Sequence, residues 1–188
     1  MKTTIYMVRH AQSPYDEGTE RTRGLTAKGM ADAEKITEML KDEGIDMLIS
    51  SPYRRAILSI EGVAQYLGLE ITVFEELREK HFSDQFIGDE QLWLAIQESF
   101  NDFSHTMPGG ESNADCQFRA ISIISDILKD NAGKKIAIGT HGMIMTLMMN
   151  YFDSTYGFQF LRKLSKPDLY KLIFEDSELI EVTRLWNE

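Results

Sequence analysis

Two histidines, several arginines and a pair of glutamates stand in this chain where apolar runs give way to polar sequence. Arg9-His10 closes the run TTIYMV, Arg54-Arg55 follows Ser50-Ser51-Pro52, Glu76 and Glu79 lie in EELREK, and His141-Gly142 follows IAIGT. Together these residue types suit phosphoryl transfer. A guanidinium fork matches phosphate oxygens two at a time and stays charged, so it holds the ground state and neutralises charge in the transition state. A neutral imidazole nitrogen can attack phosphorus and split one hard displacement into two easier ones. A protonated carboxylic acid can deliver its proton to the leaving alkoxide, a contribution of roughly 10²–10⁴-fold. Gly142, at the start of a helix, adds backbone N–H groups where an anion would sit.

These residues act together only if the fold brings them together. Residues 3–8 are β-rich and apolar and predict a strand. Thr26 can cap a helix in which Met30, Ala33, Ile36, Thr37 and Leu40 recur at helical spacing until Gly44. A second strand over 46–50 leads to Pro52, where a helix can begin; Ala56, Ile57, Ile60, Val63, Ala64 and Leu67 form its apolar face and Gly68 ends it. A third strand is expected over 71–74, helices over 90–103 and 112–129, a fourth strand over 136–139 and a helix over 142–149. Ser112 and Asp115 are spaced as a capping box. Two last strands, 169–174 and 179–185, flank the turn-like EDSE as a hairpin. The order predicts an α/β fold: a three-layer sandwich with a mainly parallel sheet, helices on both faces, a short helical cap insert over roughly 82–111 and a C-terminal hairpin. Such sheets gather their sites beyond the C-terminal ends of the strands, where the residues above all fall.

Composition narrows the function further. A chain of 188 residues with 43% hydrophobic content and no linker, repeat or low-complexity tract reads as one domain over 1–188. Thirty acidic against twenty basic residues give a net charge of −10, which disfavours nucleic acid and anionic membrane as partners. An anionic small substrate must then be captured by a local cationic pocket. The single cysteine, Cys116, excludes an internal disulfide and fits a cytoplasmic protein. No apolar run approaches the roughly 18 residues of a membrane helix, and Arg9 and His10 interrupt any N-terminal signal peptide. Four scattered histidines and one cysteine have no zinc-type spacing, so neither a metal nor another cofactor is expected. His81 and His105 read as surface or cap residues, and Met143, Met145, Met148 and Met149 as adaptable core filling. Phe82, Phe86, Trp93 and Phe100 either pack a cap over the site or complete the core.

VRHAQS at 8–13 resembles the signature of the histidine phosphatase superfamily, the phosphoglycerate mutase-like proteins. SSPYRRA at 50–56, ELRE at 76–79 and GTHGMI at 139–144 resemble its next three elements, in family order, and GLTAKG at 24–29 is similar to its usual approach to the first helix. PGGES at 108–112 resembles a segment of the small phosphatase branch. The resemblance implies His10 as nucleophile, Arg9 and Arg55 (rather than Arg54) as phosphate ligands, Glu79 (with Glu76 as its competitor) as general acid, and His141 as stabiliser of the transferring group. It implies a small phosphorylated substrate or inorganic phosphate as ligand, and no cofactor. Ser13, Asp16, Glu111 and Ser112 are further candidates at the border of the pocket, although PGGES also reads as a plain turn before a helix. Three departures stand out: Ala11 replaces the glycine common after the nucleophile, KHFSDQF lacks the glycine usual after Glu79, and Asp16 stands where many members carry asparagine. A carboxylate at that place repels phosphate unless Arg21 or Arg23 pairs with it. The resemblance also implies that mutases carry a longer insert between Glu79 and His141, so the short interval points to hydrolysis; a mutase, or a module that binds phospho-ligands without turnover, are the alternatives.

Overall fold

The computed structural model describes residues 1–187; Glu188, within the expected domain, lies outside them. Strand β1 (Lys2–Arg9) is buried along all of its apolar run because both of its faces are covered. Ile5 and Met7 face one core while Tyr6 and Val8 face another, the two-residue alternation of a central strand. Helix α1 (Ala27–Leu40) starts at Thr26, whose side chain accepts the Gly29 N–H at 3.0 Å, and stops a turn short of Gly44. Strand β2 (Met47–Ser50) leads to α2 (Arg54–Leu67), which ends on Gly68 at φ +66°, the left-handed cap that glycine adopts without strain. Pro52 precedes the helix instead of opening it, since Tyr53 is the N-cap.

Strand β3 (Ile71–Val73) is short and largely exposed, and a 3-10 turn (Glu75–Leu77) follows. Helices α3 (Asp89–Asn101) and α4 (Asn113–Asp130), strand β4 (Lys135–Thr140) and helix α5 (Gly142–Phe152) come next. Ser112 caps α4 by accepting the Asp115 N–H at 3.0 Å, and its hydroxyl donates to the Asp115 carboxylate at 2.7 Å, so the expected box is half made. Helix α6 (Phe158–Lys163), which sequence periodicity did not reveal, precedes β5 (Asp168–Glu175) and β6 (Glu178–Arg184). The predicted hairpin is present, with Asp176 at positive φ in its turn.

The sheet order is β3-β2-β4-β1-β5-β6, with β3, β2, β4 and β1 parallel, and β5 antiparallel to both of its neighbours. Helices α1 and α2 cover the face carrying Tyr6 and Val8, and α4 and α5 cover the other. Right-handed crossovers that travel in opposite directions along a sheet must lie on opposite faces. The chain therefore leaves β1 on one side and its neighbour β4 on the other, and a crevice opens beyond their carboxyl ends. All four methionines of α5 are buried in the core, as the sequence suggested.

Candidate active site

The crevice receives Arg9-His10 from β1 and His141-Gly142 from β4. Arg9 pairs with Thr140 in the ladder, and the His10 N–H donates to the Thr140 carbonyl at 2.9 Å. The His10 side chain is buried, with Nδ1 2.7 Å from the Ala11 carbonyl. A carbonyl can only accept, so the proton is assigned to Nδ1 and the Nε2 lone pair is left for chemistry. Burial, then the charges of Arg55, Arg9 and Lys166, hold the His10 pKa well below the usual imidazole value, which keeps the ring neutral at pH 7. The loop after it is held against α1, where a Cβ on Gly29 would stand 2.1 Å from the Gln12 carbonyl oxygen; only glycine fits.

His141 is fully buried, its ring centroid 5.2 Å from that of His10 and 5.1 Å from that of Tyr53. Its Nε2 lies 2.7 Å from the Ser51 hydroxyl, while Nδ1 has no protein partner. Burial, then the neighbouring His10 and Arg55, also push its pKa well down.

Three guanidiniums face the same cavity, which has a volume of about 400 Å³. Arg9 donates from Nη1 to the carbonyls of Leu164 at 2.8 Å and Ser165 at 3.1 Å. A Cβ on Gly142 would stand 2.9 Å from Arg9 Nη2, so the glycine lets the guanidinium lie flat against the start of α5. Arg55, at 2% exposure, binds the Glu20 carboxylate at 2.9 Å and the Glu20 carbonyl, whereas Arg54 points to solvent. Arg23 meets the same carboxylate at 3.2 and 3.3 Å. Each of the three keeps one buried guanidinium nitrogen with no protein partner: Arg9 Nε, Arg23 Nη1 and Arg55 Nε. An unsatisfied buried donor costs about 1–3 kcal/mol, and three around one cavity mark a seat for an oxyanion.

Glu79 is also on the cavity wall. Its Oε1 accepts the N–H groups of Lys80 at 2.8 Å and Ile144 at 2.9 Å, and Oε2 accepts that of Met143 at 3.0 Å. The carboxylate thus caps α5 and keeps free acceptor capacity on Oε2. Glu76 is exposed and lies outside the lining. The loop carrying Glu79 is clamped by Arg119, which donates to the carbonyls of Glu76, Arg78 (2.8 Å) and Glu79 (3.4 Å).

The remaining sequence candidates fall elsewhere. Ser13 spends its hydroxyl on the Gly24 carbonyl at 2.6 Å, and Ser112 caps α4; neither lines the cavity. Asp16 is exposed and outside the lining, and the two arginines proposed for it are engaged, Arg21 with Glu75 at 2.6 Å and Arg23 with Glu20. Glu111 serves the clamp, its carboxylate bound to Arg119 through two nitrogens and to the His81 N–H at 3.0 Å. Phe82 lines the cavity, Phe100 packs on Phe103 and Phe158, and Phe86 is 99% exposed. Sequence reasoning did not single out Tyr15, Glu20, Tyr53, Lys80 and Lys166, which also line the cavity, and considered Arg23 only as a partner for Asp16. Only Tyr53 sat within a motif. Lys166 donates to the Tyr15 hydroxyl at 2.6 Å across 151 residues of sequence, a contact with no local signal. Among the described residues no group of three or more His, Cys, Asp or Glu could hold a metal ion, and no helix is long and apolar enough to cross a membrane.

The profile of the histidine phosphatase superfamily (branch 1) matches residues 5–186. The chain belongs to this superfamily. It is 30% identical over 150 residues to "Putative phosphoserine phosphatase 2" of Hydrogenobacter thermophilus, covering 73% of this chain and 72% of that one. It is 27% identical over 158 residues to a "Probable phosphoglycerate mutase" of Salmonella paratyphi B, covering 78% and 73%. In fold it resembles a phosphoserine phosphatase from Entamoeba histolytica in complex with 3-phosphoglyceric acid, with a TM-score of 0.80, 18% identity and coverage of 99% and 98%. Superfamily and relatives together are those of a phosphatase acting on small phosphorylated substrates.

Proposed function

We propose that this histidine phosphatase hydrolyses phosphomonoesters through a phosphohistidine at His10, with no metal ion. The observation that carries the reading is a neutral, buried imidazole with its proton on Nδ1, beside three guanidiniums that each keep a free N–H. The phosphate seats on Arg9, Arg23, Arg55 and the Gly142 end of α5, which supply the positive charge a metal would otherwise bring. His10 Nε2 attacks phosphorus, the P–O bond to the alcohol breaks, and Glu79, entering this step as the carboxylic acid with its proton on the spare position of Oε2, gives the departing oxygen that proton. Water then attacks phosphorus while the Glu79 carboxylate takes a proton from it, the P–Nε2 bond breaks, and inorganic phosphate leaves with His10 restored. His141, anchored on Ser51, presents its ring beside His10 and steadies the transferred group.

The relatives named as phosphoserine phosphatases support a small phosphorylated substrate. A second reading, return of the phosphoryl group to the substrate, is favoured by the Salmonella relative named as a mutase. Residues 1–188 form one domain with 82–111 as a cap in this reading, and the single, buried and unpaired Cys116 suits a reducing cytoplasm.

Wild type and His10→Ala are to be incubated with an aryl phosphate and a panel of phosphorylated metabolites in chelator, following phosphate release and isomerisation. The variant should lose activity by at least about 10³-fold. Equal release by the two proteins removes His10 as nucleophile, and isomerisation faster than release makes the protein a mutase. Glu79→Gln should slow alkyl phosphates, whose alkoxides need a proton, far more than activated aryl phosphates; equal slowing removes Glu79 as acid.

A further inference from the structure

The phosphate seat opens into a second chamber of about 650 Å³, which shares with it the charged and backbone groups of Arg9, Glu79, Gly142 and Lys166 as well as Tyr15, Phe82 and Leu92. Beyond those shared charged and backbone groups the walls change character. Helix α3 contributes Asp89, Leu92, Trp93 and Ile96, spaced i, i+3, i+4 and i+7 and so on one helix face. Phe82, Met143 and Leu161 complete the apolar lining, the last two buried in the main core. The chamber is therefore apolar and aromatic away from the phosphate. Its one additional charge, Asp89, is negative and exposed.

That distribution bears on what leaves when the phosphate is transferred. A substrate carrying a carboxylate next to its phosphate, such as phosphoglycerate or phosphoserine, needs a cation or a ring of donors for that second anion; desolvating it against Leu92, Trp93 and Ile96 is unfavourable. Among the residues that line the chamber but not the seat none is a cation, and Lys166, in the wall of both, already gives one of its three N–H donors to the Tyr15 hydroxyl at 2.6 Å. A flat hydrocarbon group gains instead from each surface it buries, and Trp93 offers a ring face steadied by Phe158 at 6.2 Å and by the Arg162 guanidinium at 5.0 Å. A hydroxyl or ammonium at the far end of such a group would meet Asp89.

We infer that the alcohol released by this enzyme is apolar and ring-bearing, tolerating a terminal hydroxyl or ammonium but not a carboxylate. The inference rests on the phosphatase reading and adds its substrate class. It also separates this chain from what the names of its relatives suggest.

The test compares alkyl phosphates, so that an aryl leaving group does not distort the result. kcat/KM is measured for 2-phenylethyl phosphate, glycerol 1-phosphate, phosphoserine and 3-phosphoglycerate, with wild type, Trp93→Ala and Asp89→Lys. Wild type should prefer 2-phenylethyl phosphate over both carboxylated substrates by tenfold or more. Trp93→Ala should shrink its advantage over glycerol 1-phosphate about tenfold. Asp89→Lys, a change at an exposed position, should raise 3-phosphoglycerate relative to 2-phenylethyl phosphate several-fold. Turnover of all four with the carboxylated substrates equal or better overturns the inference and leaves the phosphatase reading standing. Unchanged ratios in both variants also overturn it. No phosphate release from any substrate removes the phosphatase reading and the inference with it.

Discussion

Gly142→Ala is a small change placed where the chemistry should feel it and the fold should not. The added methyl would stand 2.9 Å from Arg9 Nη2, 3.0 Å from Cζ and 3.1 Å from Nε, against the 3.4–4 Å of ordinary contact. The guanidinium must therefore retreat by about 0.5 Å, on the edge of the repulsive wall. It cannot do so freely, because Nη1 is tied to the carbonyls of Leu164 and Ser165 at 2.8 and 3.1 Å. The displacement falls on Nε, one of the three buried guanidinium nitrogens without a protein partner, where phosphate is proposed to seat. A misplacement of 1 Å at a reacting centre costs up to about 10²-fold, so half of that predicts a loss near tenfold in kcat/KM, or about 1.4 kcal/mol of transition-state stabilisation. Inhibition by inorganic phosphate should weaken by a similar factor. Stability should move the other way. Position 142 is the first residue of α5 and has no positive φ, so alanine gains helix propensity and loses unfolded-state entropy, together about 0.5–1 kcal/mol. Steady-state kinetics, phosphate inhibition and a thermal melt on one preparation decide the matter. Unchanged kcat/KM and phosphate inhibition in a folded variant would show that Arg9 is not a pinned phosphate ligand. A Tm lowered by several degrees would show that the methyl strains backbone instead of the guanidinium.

Three further outcomes follow from the same geometry. Arg119→Lys keeps the charge but loses the fork that binds Glu111 and the loop carbonyls, so kcat on alkyl phosphates should fall at least tenfold with KM little changed and aryl phosphates less affected; a uniform fall across substrates would refute a role exercised through Glu79. His10 and His141 have folded-state pKa values below the unfolded value of about 6.5, so the unfolded chain takes up protons first as pH falls, and stability, full above that pH, drops below it by up to about 2.7 kcal/mol per pH unit. Urea unfolding between pH 5 and 7 measures this slope; His10→Gln should halve it, and a flat profile would contradict the burial argument. Asp16→Asn should change kcat/KM by less than about twofold, because the residue lies outside the cavity and surface substitutions away from a site are near neutral.

The strands and the first two helices were legible because their causes are local. β1 and β4 are apolar runs, α1 and α2 repeat apolar residues at helical spacing, and Thr26 and Gly68 punctuate them in the usual way. The two histidines and the arginines and glutamates near them were legible as candidates because a parallel sheet places the ends of its strands side by side; the choice of Arg55 over Arg54 and of Glu79 over Glu76 came from the family resemblance. Helix α6 was missed because six residues, FQFLRK, span less than two turns and show no clear period. Asp16 was placed by its distance along the chain from a motif, and Glu111 and Ser112 by membership of PGGES, but side-chain direction decides, and those side chains serve solvent, a clamp and a helix cap. The clamp and the mouth cations are non-local: Arg119 reaches back about forty residues to its loop, and Lys166 meets Tyr15 across most of the chain.

Every recognisable motif of this protein lies before residue 145, yet Arg9 leans on carbonyls contributed by Leu164 and Ser165, and Lys166 stands in the wall. The cause is β5, which runs against its neighbour: Asp168, its first residue, pairs with Arg9, the last residue of β1. A strand laid backwards delivers its beginning, instead of its end, to the working edge. During synthesis the pocket accordingly waits for residues that emerge after α5. A chain that has emerged only as far as α5 carries every motif and still cannot seat its first arginine.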